Sequence, residues 1–412
     1  MKELSFIRSI NLLPRMQHSA NTMIRPEQQL VVALCRMPLD DRHAYRAREL
    51  LATRLEFQAV IEQTRRWQVE PLVFGNLRRH FAASIPPGVV AEITELERAQ
   101  RAYAMSRTLQ LVDLTRRLKE AGIPTIVLKG PTIGITAYGD CSRRGFADID
   151  LLVPKNYLTA AHDLLIAGGY TPKFGSEMIA AIVAGQHALE FSGPGPAVEI
   201  HWSLLSRHLR FDLEPDELWR DAHTIKCVGS EITALSPPHL FLYLCAHGAK
   251  HEWNIFRWIC DVAQLTRRLT ALEAQHVMAL AQRTNSRRIV ALALRLVRET
   301  FGEEESPFPA TAFGAPGETD SLIAVARASF EGAAERPTLL PARIVRLHPY
   351  AAPLAFWIRS RERKRDQLAC VARFVFEPAP GDTGGGAFRF LVRPARLAAN
   401  AVMRAFDKVH AS

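Results

Sequence analysis

Cysteine is scarce: six in 412 residues, scattered at Cys35, Cys141, Cys227, Cys245, Cys260 and Cys370. With no C-x-x-C pair among them, the pattern argues against a disulfide framework and a zinc knuckle, and fits a reducing compartment. Long apolar runs are missing too. No uninterrupted stretch reaches the roughly 18 residues a membrane span needs. The apolar stretch near the N-terminus is broken by Arg8, Ser9 and Asn11, so it makes a poor signal peptide. The expected location is cytoplasmic, with no transmembrane segment. There is no G-x-G-x-x-G, Walker A or G-x-S-x-G sequence and no Cys-His nucleophile pattern, which removes support for dehydrogenase, ATPase and serine-hydrolase chemistry. No internal repeat is visible.

What is present begins with a globular composition, 48% hydrophobic, at a length that suggests two or three domains of about 150 residues. The formal charge is +10 and the pI about 9.5. That balance fits a phosphate-bearing partner such as a nucleotide, nucleic acid or anionic lipid; it equally fits a solvated, arginine-rich surface. Residues 1–25 carry little pattern and are expected to be poorly ordered, with Met16 or Met23 an alternative start. Residues 26–120 form an N-terminal helical region: Leu30, Ala33, Leu34 and Met37 fall at helical spacing after Pro26, and the pattern returns over 44–67 and 91–120. Between 121 and 232 strands alternate with helices. A buried strand over 125–128 leads to the Lys129-Gly130-Pro131 turn, a short helix over 132–138 and a basic loop with Arg143 and Arg144. A strand with Asp148 and Asp150 follows, then a helix ending at Gly168-Gly169, strands near 170–174 and 188–191 around a helix over 177–184, and a strand from Ala197. Residues 204–232 read as a mixed connection with one helix near Glu217. Residues 233–302 read as a helical domain opening on one helix over 239–268, with more helix over 272–283 and 287–301. Residues 303–412 form a basic C-terminal region with a linker over 302–320, a flexible break at 381–386 and an arginine-rich helix near the end. The fold class expected is α+β: a small mixed sheet flanked by N-terminal and C-terminal helical regions.

Side chains two apart in a strand share a face, so Asp148 and Asp150 point the same way, as do Glu199 and His201. Like charges a few ångströms apart are costly to bury unpaired. A divalent cation with oxygen preference, usually Mg²⁺ beside phosphates, offsets that cost. Asp148, Asp150 and Glu199 are therefore candidate ligands for one or two Mg²⁺ (or Mn²⁺) ions, which polarise a phosphoryl oxygen and activate an attacking hydroxyl. Gly130 and the helix start behind it would offer backbone N–H groups to a triphosphate. Lys129, Arg143 and Arg144 would add charge-assisted contacts to the same phosphates, and His201 could donate to a phosphate or sugar. On the 239–268 helix, His247, His251, Asn254, Trp258 and Asp261 line one face. This face reads either as a polar seam, with Asp261 paired to Arg257, or as a wall through which His247, Lys250, His251 or Arg257 reaches the nucleotide.

At these residues the chain resembles the nucleotidyltransferase superfamily of the DNA polymerase beta type. More narrowly it is similar to a bacterial group of uncharacterised nucleotidyltransferases. The matching positions are Leu128-Lys129-Gly130, Asp148 to Val153, Glu199 to Trp202, and His247 with Trp258 and Asp261, in that order. The likeness covers roughly residues 26–300, and it departs at Pro131, where the superfamily places Gly or Ser. It implies a nucleotidyltransferase core moving NMP from an NTP to an unidentified acceptor, with Asp148 and Asp150 holding the metals and Glu199 completing the second site and helping to deprotonate the acceptor. The acceptor could be a small molecule, peptide, protein or RNA. The alternative is a catalytically silent nucleotide- or partner-binding protein of the same fold.

Overall fold

The computed structural model describes residues 25–376 apart from 177–178, 207–208, 210, 212, 303–305, 333–336, 338 and 340–350. The expected disorder of the N-terminus, the break at 381–386 and the arginine-rich terminal helix lie outside the described residues. The fold is α+β. Helices α1 (Pro26–Ala33), α2 (Asp41–Leu51), α3 (Phe57–Trp67), α4 (Glu70–Phe81) and α5 (Pro87–Glu120) lead into the sheet. Two helices carry the 44–67 pattern, and α2 begins where Asp40 accepts the backbone N–H of His43 at 2.9 Å.

Strands β1 (Ile126–Val127), β2 (Asp148–Leu152), β3 (Thr171–Pro172), β4 (Ala188–Ser192), β5 (Ala197–His201), β6 (His223–Cys227) and β7 (Ser230–Ala234) form one mixed sheet in the order β3-β4-β5-β2-β1-β7-β6. α6 (Leu158–Ala167), α7 (Ile179–Gly185) and α8 (Pro215–Asp221) lie within this segment. β2 and β5 run parallel, with Asp150 opposite Glu199 and Leu152 opposite His201. β1 is antiparallel to β2 and pairs Ile126 with Leu152.

The β6–β7 hairpin was not anticipated; its residues read as connection. Val228 and Gly229 turn it, with φ of 48° and 78°, the paired positive values that match the twist of a two-residue hairpin. Valine is a poor occupant of that conformation, so the turn carries no sequence signal.

The two faces of the sheet differ in chemistry. On one, Val127, Ile149, Leu151, Val198 and Ile200 pack against Leu111, Leu114 and Leu118 of α5 and Leu158, Ala161 and Leu165 of α6. The spacing of those leucines puts them on one stripe of α5. The other face carries Ile126, Leu128 and Leu152 into the core of the helical body. Between these apolar side chains stand the acidic residues of β2 and β5.

That helical body is built from α9 (Pro237–Lys250), α10 (Phe256–Thr266), α11 (Ala271–Arg283) and α12 (Arg287–Phe301). Residues 239–268 are therefore two helices, because Glu252 and Trp253 adopt positive φ of 53° and 54° and turn the chain. The Trp253 indole packs on Gly248 so closely that an added Cβ there would meet ring carbons at 2.7 Å. Past residue 302 the chain is more regular than its sequence suggests: α13 (Asp320–Glu331), α14 (Ala351–Ser360) and α15 (Lys364–Phe376) follow. They join the same core, where the Trp67 indole donates to the Phe330 carbonyl at 3.0 Å and the Trp357 indole to the Leu209 carbonyl at 2.8 Å.

Candidate active site

β2 and β5 place their acids side by side because the parallel register sets Asp148 beside Ala197 and Asp150 beside Glu199. Asp150 is fully buried. Its Oδ1 lies 2.9 Å from Lys129 Nζ and 3.2 Å from His201 Nε2. Glu199, whose side chain is 35% exposed, keeps Oε2 3.2 Å from the same imidazole nitrogen, so it forms the open end of the cluster. Asp150 Oδ2 is buried with no hydrogen-bond partner.

The charges are interdependent. Burial alone would raise Asp150, but Lys129 and the His201 hydrogen bond hold it well below the usual carboxylate range. Burial would likewise lower Lys129; Tyr243 and Asp150 outweigh it and hold the ammonium above its ordinary value. For His201 burial again opposes, and the hydrogen bonds with Asp150 and Glu199 prevail, so the imidazole is raised. Glu199 is lowered by His201. Asp148 is raised by burial and then by repulsion from Asp150: it is the acid with too few cations around it.

Lys129 reaches the cluster because β1 ends there and the chain turns at Gly130, whose φ of 73° favours glycine and whose missing Cβ leaves room for the Phe146 ring. Thr132 Oγ1 donates to the Lys129 carbonyl at 3.1 Å, tightening the turn. The helix expected after it is a single turn, Pro131–Ile133, running into a π-helix over Gly134–Tyr138.

The opposite wall is α9. Lys250 faces the cluster, with Lys129, Glu199 and Asp150 among its charged neighbours; burial and the Lys129 charge lower it. Tyr243 approaches Lys129 from the same helix, and burial raises its phenol. Sequence reasoning missed Tyr243, although 243, 247, 250 and 251 fall on one helical face. His247, His251 and Trp258 pack together, with ring centroids 4.9 Å apart in the edge-to-face His247–His251 and His247–Trp258 pairs. Burial holds both imidazoles neutral, His251 down to about 4.

The two expected arginines face elsewhere. Arg144 donates from Nε to Asp261 Oδ2 at 2.8 Å, while Tyr138 donates its hydroxyl to Asp261 Oδ1 at 3.0 Å. This buried triad fastens the loop before β2 to α10. Asp261 thus takes Arg144 as its partner; Arg257 instead donates to the Gly145 carbonyl at 2.9 Å. Arg143 turns toward α4 and α5, with Nε 3.4 Å from Asp140 and Nη1 3.5 Å from the Pro71 carbonyl. Neither guanidinium has a hydrogen bond or ion pair with Asp148, Asp150 or Glu199.

The donor set fits a divalent cation. Ligand atoms of Asp150, Glu199 and His201 all lie within 4.8 Å of one another, and the buried Asp150 Oδ2 has no hydrogen-bond partner. Two carboxylates suit Mg²⁺, and the imidazole widens the choice toward Mn²⁺. Asp148 stands two residues along the same strand, at the edge of this set.

The matched family model is described as "Uncharacterised nucleotidyltransferase" and covers residues 53–302. No curated protein matches the chain.

Proposed function

Since the chain belongs to the uncharacterised nucleotidyltransferase family, we propose that it transfers a nucleoside monophosphate from a nucleoside triphosphate to an acceptor hydroxyl. The acceptor oxygen bonds to the α-phosphorus, the bond to the bridging oxygen breaks, and pyrophosphate and one proton are released. The observation that carries this reading is the in-register pairing of Asp150 with Glu199 beside Asp148, an acidic patch in contact with Lys129 and with Lys250 among its charged neighbours. Asp148, Asp150 and Glu199 would hold Mg²⁺ or Mn²⁺, with His201 alongside. The bound ion supplies charge neutralisation at the phosphoryl oxygens. His201 keeps Asp150 and Glu199 ionised through its shared hydrogen bonds. Lys129 is positioned to exchange Asp150 for a phosphate oxygen when the nucleotide enters, and Lys250 adds a second positive charge to the same cleft. Glu199, half-buried at the end of the cluster, is the carboxylate that takes the proton of the acceptor hydroxyl. Arg143 and Arg144 position the loop before β2 rather than touching phosphate.

Calorimetric titration with a non-hydrolysable NTP analogue and Mg²⁺ tests the site. Metal-dependent binding by the wild type that is lost in Asp148→Ala and in Asp150→Ala is expected; unchanged binding in either variant would contradict the assignment. A second reading, a silent nucleotide-binding member, is favoured by the Lys129–Asp150 pair itself, which neutralises Asp150 with a built-in cation. It predicts NTP binding without pyrophosphate release.

A further inference from the structure

Away from the β2–β5 cleft, α8 brings Glu217 and Asp221 one helical turn apart, so both carboxylates share a face. His276 of α11 faces them, and ligand atoms of all three lie within 4.8 Å of one another. Each carboxylate has one oxygen held by an arginine. Arg283 Nη2 donates to Glu217 Oε1, and Arg220 Nε donates to Asp221 Oδ1 at 3.1 Å. The second oxygen of each is left for another partner.

An independent feature points to what that partner is. His239, at the start of α9, is 1% exposed, and its ring centroid lies 5.6 Å from that of His276 at a steep angle. Its Nδ1 is engaged by Ser236 Oγ at 2.7 Å, whereas its Nε2 is buried with no hydrogen-bond partner. The charged neighbours of this imidazole are Glu217, Asp221, His276 and Arg283. His239 lies outside the 4.8 Å set, but its buried, orphaned ring nitrogen, with Glu217, Asp221 and His276 among its charged neighbours, leaves a polar network that a cation would complete. Two imidazoles and two carboxylates match the ligand preference and number of tetrahedral zinc, and fit poorly with octahedral, oxygen-only Mg²⁺.

We propose that Glu217, Asp221 and His276, completed by His239 Nε2, form a structural binding site for a divalent transition metal of the zinc type. It would tie α8, in the connection between β5 and β6, to the first turn of α9 and to α11. The ion would therefore brace the helix that forms the opposite wall of the acidic cleft without entering that cleft. The inference does not depend on the nucleotidyl-transfer reading.

The test uses the full-length chain stripped of metal by chelation and titrated with Co²⁺, whose visible d–d bands are intense in tetrahedral sites. Asp150→Asn serves as the background, so that binding in the acidic cleft is suppressed. Expected is one tetrahedral band set in that background, displaced by Zn²⁺. His276→Ala should abolish it, and His239→Ala should raise the half-saturating concentration at least about tenfold. Should His276→Ala fail to fold, Glu217→Gln is expected to give the same loss. Absence of the band in the Asp150→Asn background would overturn the proposal. So would an undiminished band in folded His276→Ala or Glu217→Gln.

Discussion

Asp150 is buried between Lys129 and His201, and its ionisation depends on both. Removing a partner from a buried pair typically costs about 3–5 kcal/mol, because the remaining charge is left uncompensated. Lys129→Met should therefore lower the melting temperature markedly in a chelating buffer, and Mg²⁺ should restore more stability to the variant than it adds to the wild type. Equal melting of the two proteins without metal would refute the pairing. A second residue-scale prediction concerns Glu331, whose carboxyl is lifted by burial from 4.5 to about 7. The folded chain then holds the proton more tightly than the unfolded one. Its contribution is favourable below pH 4.5 and falls as pH rises to about 7, by on the order of 2–3 kcal/mol. Glu331→Gln should flatten that part of the stability–pH curve and raise the melting temperature at about pH 8, as denaturation across a pH series would show. At this scale the sequence is a partial guide. Asp148, Asp150, Glu199 and His201 were readable because strand alternation is local. The partners of Arg144 were not, since Asp261 is 117 residues away and no local pattern links the two.

At the scale of elements, what could be read depended on whether a turn shows itself chemically. Periodicity continues from His247 to Asp261 across a break that contains neither glycine nor proline, so α9 and α10 read as one helix. The break depends on Gly248 giving the Trp253 ring its place. Gly248→Ala should cost about 1–3 kcal/mol by overpacking, measurable by chemical denaturation. A cost near zero would show that the turn does not rely on this contact. The β6–β7 hairpin escaped notice for the converse reason, a valine where Asn-Gly would have been recognised. Val228→Asn should stabilise the protein by roughly 0.5–1 kcal/mol, since asparagine tolerates positive φ and the pair then suits the turn. Destabilisation would mean that the Val228 side chain makes a contact worth more than the backbone strain.

For the molecule as a whole, the sheet works as a partition. Its apolar face belongs to α5 and α6; its acidic face is closed by α9 and α10, which the Arg144–Asp261–Tyr138 triad holds in place. The α+β class and the order of helical region, sheet and helical region were visible in the pattern. The three helices between 320 and 376 were not. Among the described residues no helix is long and apolar enough to cross a membrane. Asp261→Ala should loosen the α10 wall, costing about 3–5 kcal/mol in stability, with nucleotide affinity falling alongside; loss of neither would detach the triad from the site.

Nucleotidyl transfer through the acids of β2 and β5 is tested directly by one substitution. Wild-type protein and Asp150→Asn, each incubated with α-³²P-labelled NTPs, Mg²⁺ or Mn²⁺ and cell lysate as the source of acceptor, give the direct comparison. A labelled acceptor and an equal amount of pyrophosphate are expected with the wild type, and neither with Asp150→Asn. Undiminished labelling by Asp150→Asn would contradict transfer through these acids.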